Sequence, residues 1–196
     1  LTCLSWKPWL LPVSTLGLQW KWARFGACIP TKTINASGKD ANGNPVPPYS
    51  VTQIKRIVSE MGDFRALSDS LVNINIKYLV HLVGDMHCPV HIDFPTSRPM
   101  KVKEGKNEIK VHKMWDGRVL ESKHNGLSPL QMAIELDRYT DAEIAAFQSG
   151  TPDDWHIESV EYSKRAIDML PANKQVSYES YFNKAIEIAE NRITLA

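Results

Sequence analysis

Helix-start signals recur along this chain, while period-two alternation is nearly missing. That contrast limits the fold more than any other feature. Leu127-Ser128-Pro129 places an N-cap serine before a proline suited to the first helical turn. Thr140 and Glu143 have the spacing of a capping box, and Thr151-Pro152 opens a helix running to about Leu170. Val51 to Met61 carries apolar residues at helical spacing. A long helix is predicted from about Phe64 to Met86, with Leu67, Leu71, Ile74, Tyr78 and Leu82 along one side. Pro89 ends it. Further helices are predicted from near 111, carrying Trp115, and from Ser177 to Ile193. Residues 93 to 110 read as a polar, lysine-rich loop with a short alternation near Ile109, and Asn35 to Pro48 reads as a loop of Gly, Asn and Pro. The expected fold class is all-α, a single helical domain over residues 1–196.

Charge narrows the function. The net charge is +1, which argues against a binder that holds nucleic acid by bulk charge alone. A polyanionic substrate would need a local attraction, and bound metal ions can supply one. No apolar run is long enough for a membrane span. Leu1 to Val13 is apolar but holds Lys7 and two prolines, and does not read as a signal peptide. The chain lacks an initiator Met, so removal of an upstream part is expected. Three cysteines, Cys3, Cys28 and Cys88, do not make a multi-bridge framework. Residues 1–39 contain no Asp or Glu and four of the six tryptophans, whereas all six histidines lie at or after position 81.

The histidines and aspartates form a pattern. His81 and Asp85 are four apart on the long helix, so they share a face. His91 follows Pro89, where the chain can fold back toward the same point. His112 and Asp116 repeat the four-residue spacing. Imidazole and carboxylate suit Zn²⁺, and two such segments can enclose more than one ion. Spacing alone leaves a plain surface hydrogen bond as a rival. The apolar setting Tyr78-Leu79-Val80-His81-Leu82-Val83-Gly84-Asp85-Met86 weighs against it, because a buried Asp needs a partner or a metal. Gly84 in mid-helix suggests a close approach to the backbone.

The segment His81-Leu-Val-Gly-Asp85-Met-His-Cys-Pro-Val-His91 resembles the signature of the S1/P1 nucleases, whose usual form is His-Phe-Val-Gly-Asp-x-x-Gln-Pro-Leu-His. His112-Lys-Met-Trp-Asp116 is similar to their second signature. Trp155-His-Ile-Glu158-Ser159 resembles a third, Trp-x-x-Glu-Ser, and Gly105-Lys-Asn107 stands where the family has Gly-Gly-Asn. The likeness runs from about Val51 to the C-terminus. It implies a helical fold of the phospholipase C/P1 nuclease type with three zinc ions in a metal cleft. It implies His81 and Asp85 on the first zinc, Asp85 also on the third and in the catalytic role, and His91, His112 and Asp116 on the second. Asn107 would face substrate. The implied reaction is hydrolysis of single-stranded DNA or RNA and of 3′-nucleotides to 5′-phosphates, with hydroxide on the metal attacking phosphorus. The resemblance further implies a secreted or periplasmic enzyme.

The chain departs from that pattern near its start. The family has an N-terminal Trp, an early His, and an Asp and a His in its first third; here no His precedes position 81. Lys32, in Thr31-Lys-Thr-Ile-Asn35, stands where the second of these histidines is expected. Residues 1–40 are thus anomalous for the family, and a shifted reading frame over residues 1 to about 33 would account for the change in composition. One zinc site, His91, His112 and Asp116, is complete in this chain, whereas His81 and Asp85 are half of another. Two other functions stay open: a zinc phospholipase C-like esterase, and a degenerate metal-binding homologue. His87 reads as a non-ligand facing away, His124 as solvated, His156 as a plain helix residue and Trp115 as core. Glu158 is either a support for a metal ligand or a surface carboxylate. Cys88 reads as a core residue in preference to a metal ligand. Lys101, Lys103, Lys106, Lys110 and Lys113 read first as a solvated loop and second as an attractor of phosphates.

Overall fold

In a computed structural model, residues 38–39, 45–46, 49–92 and 100–196 are described. The composition break over residues 1–37, Lys32, and residues 40–44, 47–48 and 93–99 of the expected loops lie outside them. The described chain is mainly helical, as its start signals require. Two strands of two residues, β1 (Gly38–Lys39) and β2 (Pro45–Val46), pair antiparallel within the first expected loop. Helix α1 (Tyr49–Met61) follows and buries Val51, Ile54 and Ile57.

The long predicted helix starts later than expected. Phe64–Ala66 forms a 3-10 turn, and α2 spans Asp69–His87. Ser68 is the reason, since its Oγ accepts from Leu71 N at 3.3 Å and satisfies an orphan donor of the first turn. Of the side chains expected on one face, Leu82 is buried and Tyr78 half-buried, but Leu71 and Ile74 are 39% and 48% exposed. Among the described residues, the core therefore covers only the C-terminal half of α2. A Cβ built at Gly84 would meet nothing within 4 Å there, so the expected close approach is not found among these residues.

Residues 101–110 are not a loop. They form a hairpin of β3 (Lys101–Glu104) and β4 (Asn107–Lys110), with Val102 opposite Ile109. The strand β5 (Gln175–Val176) joins β3 in parallel. Gly105 stands first in the two-residue turn at φ +59°, a conformation that glycine adopts without strain. Each strand of the hairpin offers too few apolar residues for alternation to stand out in sequence. Burial of Val102 and Val176, both from distant parts of the chain, is what makes a sheet of it.

Val111 N donates to Met100 O at 3.0 Å and ties the base of the hairpin to a helical run. That run is α3 (Val111–Lys113), a π turn Met114–Arg118, and α4 (Val119–His124). Then come α5 (Pro129–Leu136), α6 (Asp141–Phe147) and α7 (Pro152–Asp168). Ser128, Thr140 and Thr151 cap these three as predicted, each in a reciprocal capping box. After a second π turn, Tyr178–Phe182, the chain ends in α8 (Asn183–Leu195).

Two apolar clusters hold this together. One gathers Val102, Val111, Met114, Trp115, Val119, Tyr181, Phe182 and the inner face of α8; the other gathers Val51, Ile54, Ile57, Leu82 and Met86. The stretch after α2 belongs to both. Cys88 and Val90 enter the first cluster, while Ile92 enters the second. Each such side chain contributes roughly 1.5–3 kcal/mol on burial. A segment pinned on alternate sides has little freedom, and His91 lies in the middle of it.

Candidate metal centre

His81 and Asp85 occupy successive turns near the end of α2. Asp85 is 8% exposed, a position at which a carboxylate needs partners. At Cys88 the helix stops, and its N–H donates to Asp85 O and Gly84 O at 3.2 Å each. Pro89–His91 then makes one 3-10 turn, closed by His91 N donating to Cys88 O at 3.0 Å. This turn swings the His91 ring back over Asp85. His91 Nδ1 lies 2.8 Å from Asp85 Oδ1.

The second pair arrives from the helical run after the hairpin. His91 Nε2 lies 3.0 Å from Asp116 Oδ1, and His112 Nε2 lies 3.6 Å from Asp116 Oδ2. The His112 ring stacks on His91, with centroids 4.7 Å apart and 29° between planes. Asp116 sits in the π turn, whose neighbour Trp115 is core, as expected: its Nε1 donates to Tyr181 OH at 2.9 Å. Tyr181 OH in turn donates to Ala166 O at 2.8 Å. The apolar side of the turn is thereby fixed, and Asp116 is held on the opposite side. π turns of this kind often accompany functional sites.

Burial alone would raise the Asp85 pKa, but His91, His81 and His112 outweigh it and hold the carboxyl below its ordinary 3.8. Burial likewise disfavours charge on His91, yet Cys88, Asp116 and Asp85 together push its pKa well above 6.5. Positive charge is thus favoured at the centre of the group. The donors fit a divalent ion on the same ground: carboxylate and imidazole atoms converge there from three stretches of chain. Cys88, His91 and Asp116 each offer a donor atom, all within 4.8 Å of one another. Cys88 was expected in the core, and it is there at 1% exposure, but it also borders this group.

The remaining expected residues lie elsewhere. Asn107 is exposed at the start of β4, opposite Glu104, and shares a groove on the hairpin with Lys101, Lys110 and Lys113. His87 is buried, with Nδ1 2.8 Å from Val83 O. His156 is a half-buried residue of α7. His124 corrects the reading as solvated: it is 6% exposed, with Nε2 2.7 Å from Glu190 and Nδ1 3.2 Å from Glu135. Its carboxylate partners lie on helices that sequence spacing did not relate to it.

Glu158 is half-exposed and pairs with Arg192 at 3.0 Å; Ser159 accepts a hydrogen bond from the same guanidinium. Arg192 also reaches His87 O at 3.4 Å, so the third motif braces the end of α2 behind the His/Asp group. The sequence model of the family described as S1/P1 Nuclease matches residues 28–196. The chain belongs to the S1/P1 nuclease family. Membership carries phosphodiester-hydrolase chemistry, a metal requirement and nucleic-acid substrates as the general character of the protein. Residues 1–27 lie outside the match. No curated protein matched the chain. No described helix is long and apolar enough to cross a membrane.

Proposed function

We propose that this S1/P1 nuclease is a zinc-dependent endonuclease acting on single-stranded DNA or RNA and on 3′-nucleotides, with 5′-phosphate products. One observation supports the reading: Asp85, His91, His112 and Asp116, drawn from the end of α2, the turn after it and the run after the hairpin, come together around the His91 ring, and His81, one helical turn before Asp85, acts electrostatically on its carboxylate. His91, His112 and Asp116 would hold one zinc. His81 and Asp85 would hold a second, and Asp85 would also face a third and be the catalytic carboxylate. Imidazole and carboxylate donors suit zinc.

Each side chain has a task. Asp85 accepts from His91 Nδ1, which orients the ring and leaves Nε2 directed toward Asp116. His112 stacks on that ring and limits its rotation. Trp115 and the buried strap Cys88–Ile92 keep the two halves of the site in register. Zinc would supply Lewis-acid polarisation of phosphoryl oxygen and lower the pKa of a coordinated water toward roughly 7. Asn107 on the hairpin would contact substrate. A secreted or periplasmic place and a single domain over residues 1–196 complete the proposal.

The test is zinc analysis together with hydrolysis of a single-stranded oligonucleotide, on the parent and on His112→Ala. We expect up to three zinc per chain and hydrolysis in the parent, and a loss of at least a hundredfold in the variant. A fully active variant would refute the role of His112. Cleavage of a phosphatidylcholine analogue with none of the oligonucleotide would make the protein a phospholipase C-like esterase. A parent that binds no zinc and cleaves neither substrate would be a degenerate homologue.

A further inference from the structure

We propose that Cys88 is itself a metal ligand, completing a Cys88–His91–His112–Asp116 donor set. The inference rests on the zinc reading above. Cys88 and His91 have the x₂ spacing common among zinc-ligand pairs. Here that spacing lies on a 3-10 turn, closed by His91 N donating to Cys88 O. Cys88 caps this turn, and its thiol lies within 4.8 Å of an imidazole nitrogen of His91. Asp116 comes from a separate element, and its carboxylate lies with both inside a 4.8 Å group. Donor atoms around a tetrahedral zinc are roughly 3.3–3.8 Å apart, so closure needs shifts of about 1 Å.

The burial of Cys88 agrees with this role. At 1% exposure the sulfur faces apolar neighbours on one side and the His/Asp group on the other. Gln stands at this position in the related signature, so the thiol is a property of this chain. Binding breaks the S–H bond, forms an S–Zn bond and releases the proton to solvent. Four protein donors would close the site, as in structural zinc centres, and leave the open position to the neighbouring His81 and Asp85. A thiolate also softens the site, favouring Zn²⁺ and Cd²⁺ over Mn²⁺ and Mg²⁺.

The experiment is zinc-edge X-ray absorption on the full, zinc-loaded chain and on a Cys3→Ser/Cys28→Ser variant, which leaves Cys88 as the sole cysteine. We expect a sulfur shell at about 2.3 Å in both. Cys88→Gln should lose that shell, release one fewer proton on binding zinc, and hold zinc at least tenfold more weakly. A shell of nitrogen and oxygen alone in the zinc-loaded parent would overturn the proposal whether or not Cys88→Gln folds. Should that parent still cleave oligonucleotide, the nuclease reading stands and only the role of Cys88 falls. A parent that takes up no zinc overturns both.

Discussion

Arg192 shows what a single residue contributes away from the donors. It is 1% exposed, bonded to Glu158, Ser159 and the His87 carbonyl, with its guanidinium 4.6 Å over the Tyr162 ring. A cation beside the final carbonyls of α2 also suits the negative end of that helix. Burial lowers its pKa, against the pull of Glu158, but from a starting value so high that it stays charged. Replacing it by Met removes the charge while keeping much of the volume. Glu158 can then hydrate, because it is half-exposed, but Ser159 and His87 O lose a donor. We expect a loss of about 1–3 kcal/mol, read from urea unfolding. Lys should restore little of it, because it lacks the planar fork that serves three acceptors. An unchanged urea midpoint in Arg192→Met would show that the brace is idle. The sequence displayed Trp155, Glu158 and Ser159 as a motif, yet nothing in it linked them to a residue 33 positions later.

At the scale of elements, the helices begin where their caps direct, but their mutual docking uses charges as well as apolar faces. Glu190 of α8 is 7% exposed and accepts from Lys123 and His124 of α4, with Arg138 at 3.6 Å. Burial would raise its pKa; Lys123 and His124 outweigh that and bring it below 4.5. A depressed carboxylate contributes stability in full above its unfolded value and loses it as pH falls through the folded value. The window is therefore the acidic side of pH 4.5. We expect the melting temperature of the parent to fall more steeply below that pH than the melting temperature of Glu190→Gln. Parallel curves for the two proteins would remove Glu190 from the account. The His124 correction belongs at this scale as well. The Lys-His-Asn-Gly context looks solvated, and only the packing of α4 on α8 buries the ring.

Across the whole molecule, a net charge of +1 conceals a local excess on the hairpin. Lys101 pairs with Glu108, and Arg118 with Glu104, which neutralises both carboxylates of the two strands. Among the described residues, Lys103, Lys110 and Lys113 form no salt bridge, although Lys103 also acts electrostatically on Glu108. For a single-stranded polyanion, each phosphate contact contributes about −0.7 to the slope of log affinity against log salt. Replacing these three lysines by Gln should therefore flatten the slope for oligonucleotide binding by about 2. Identical slopes would return the lysines to the role of a solvated surface. The sequence by itself determined the helical class and the caps at Ser128, Thr140 and Thr151, and it put forward five candidate donors, because capping and helical spacing act within a few residues. Only the tertiary structure decided that His91 bridges Asp85 and Asp116, that Cys88 borders the donor group, that residues 101–110 form a sheet, and that Arg192 closes the third motif. Each of these depends on a partner from a distant part of the chain, and burial in a shared core, which local spacing does not encode, brings those partners together.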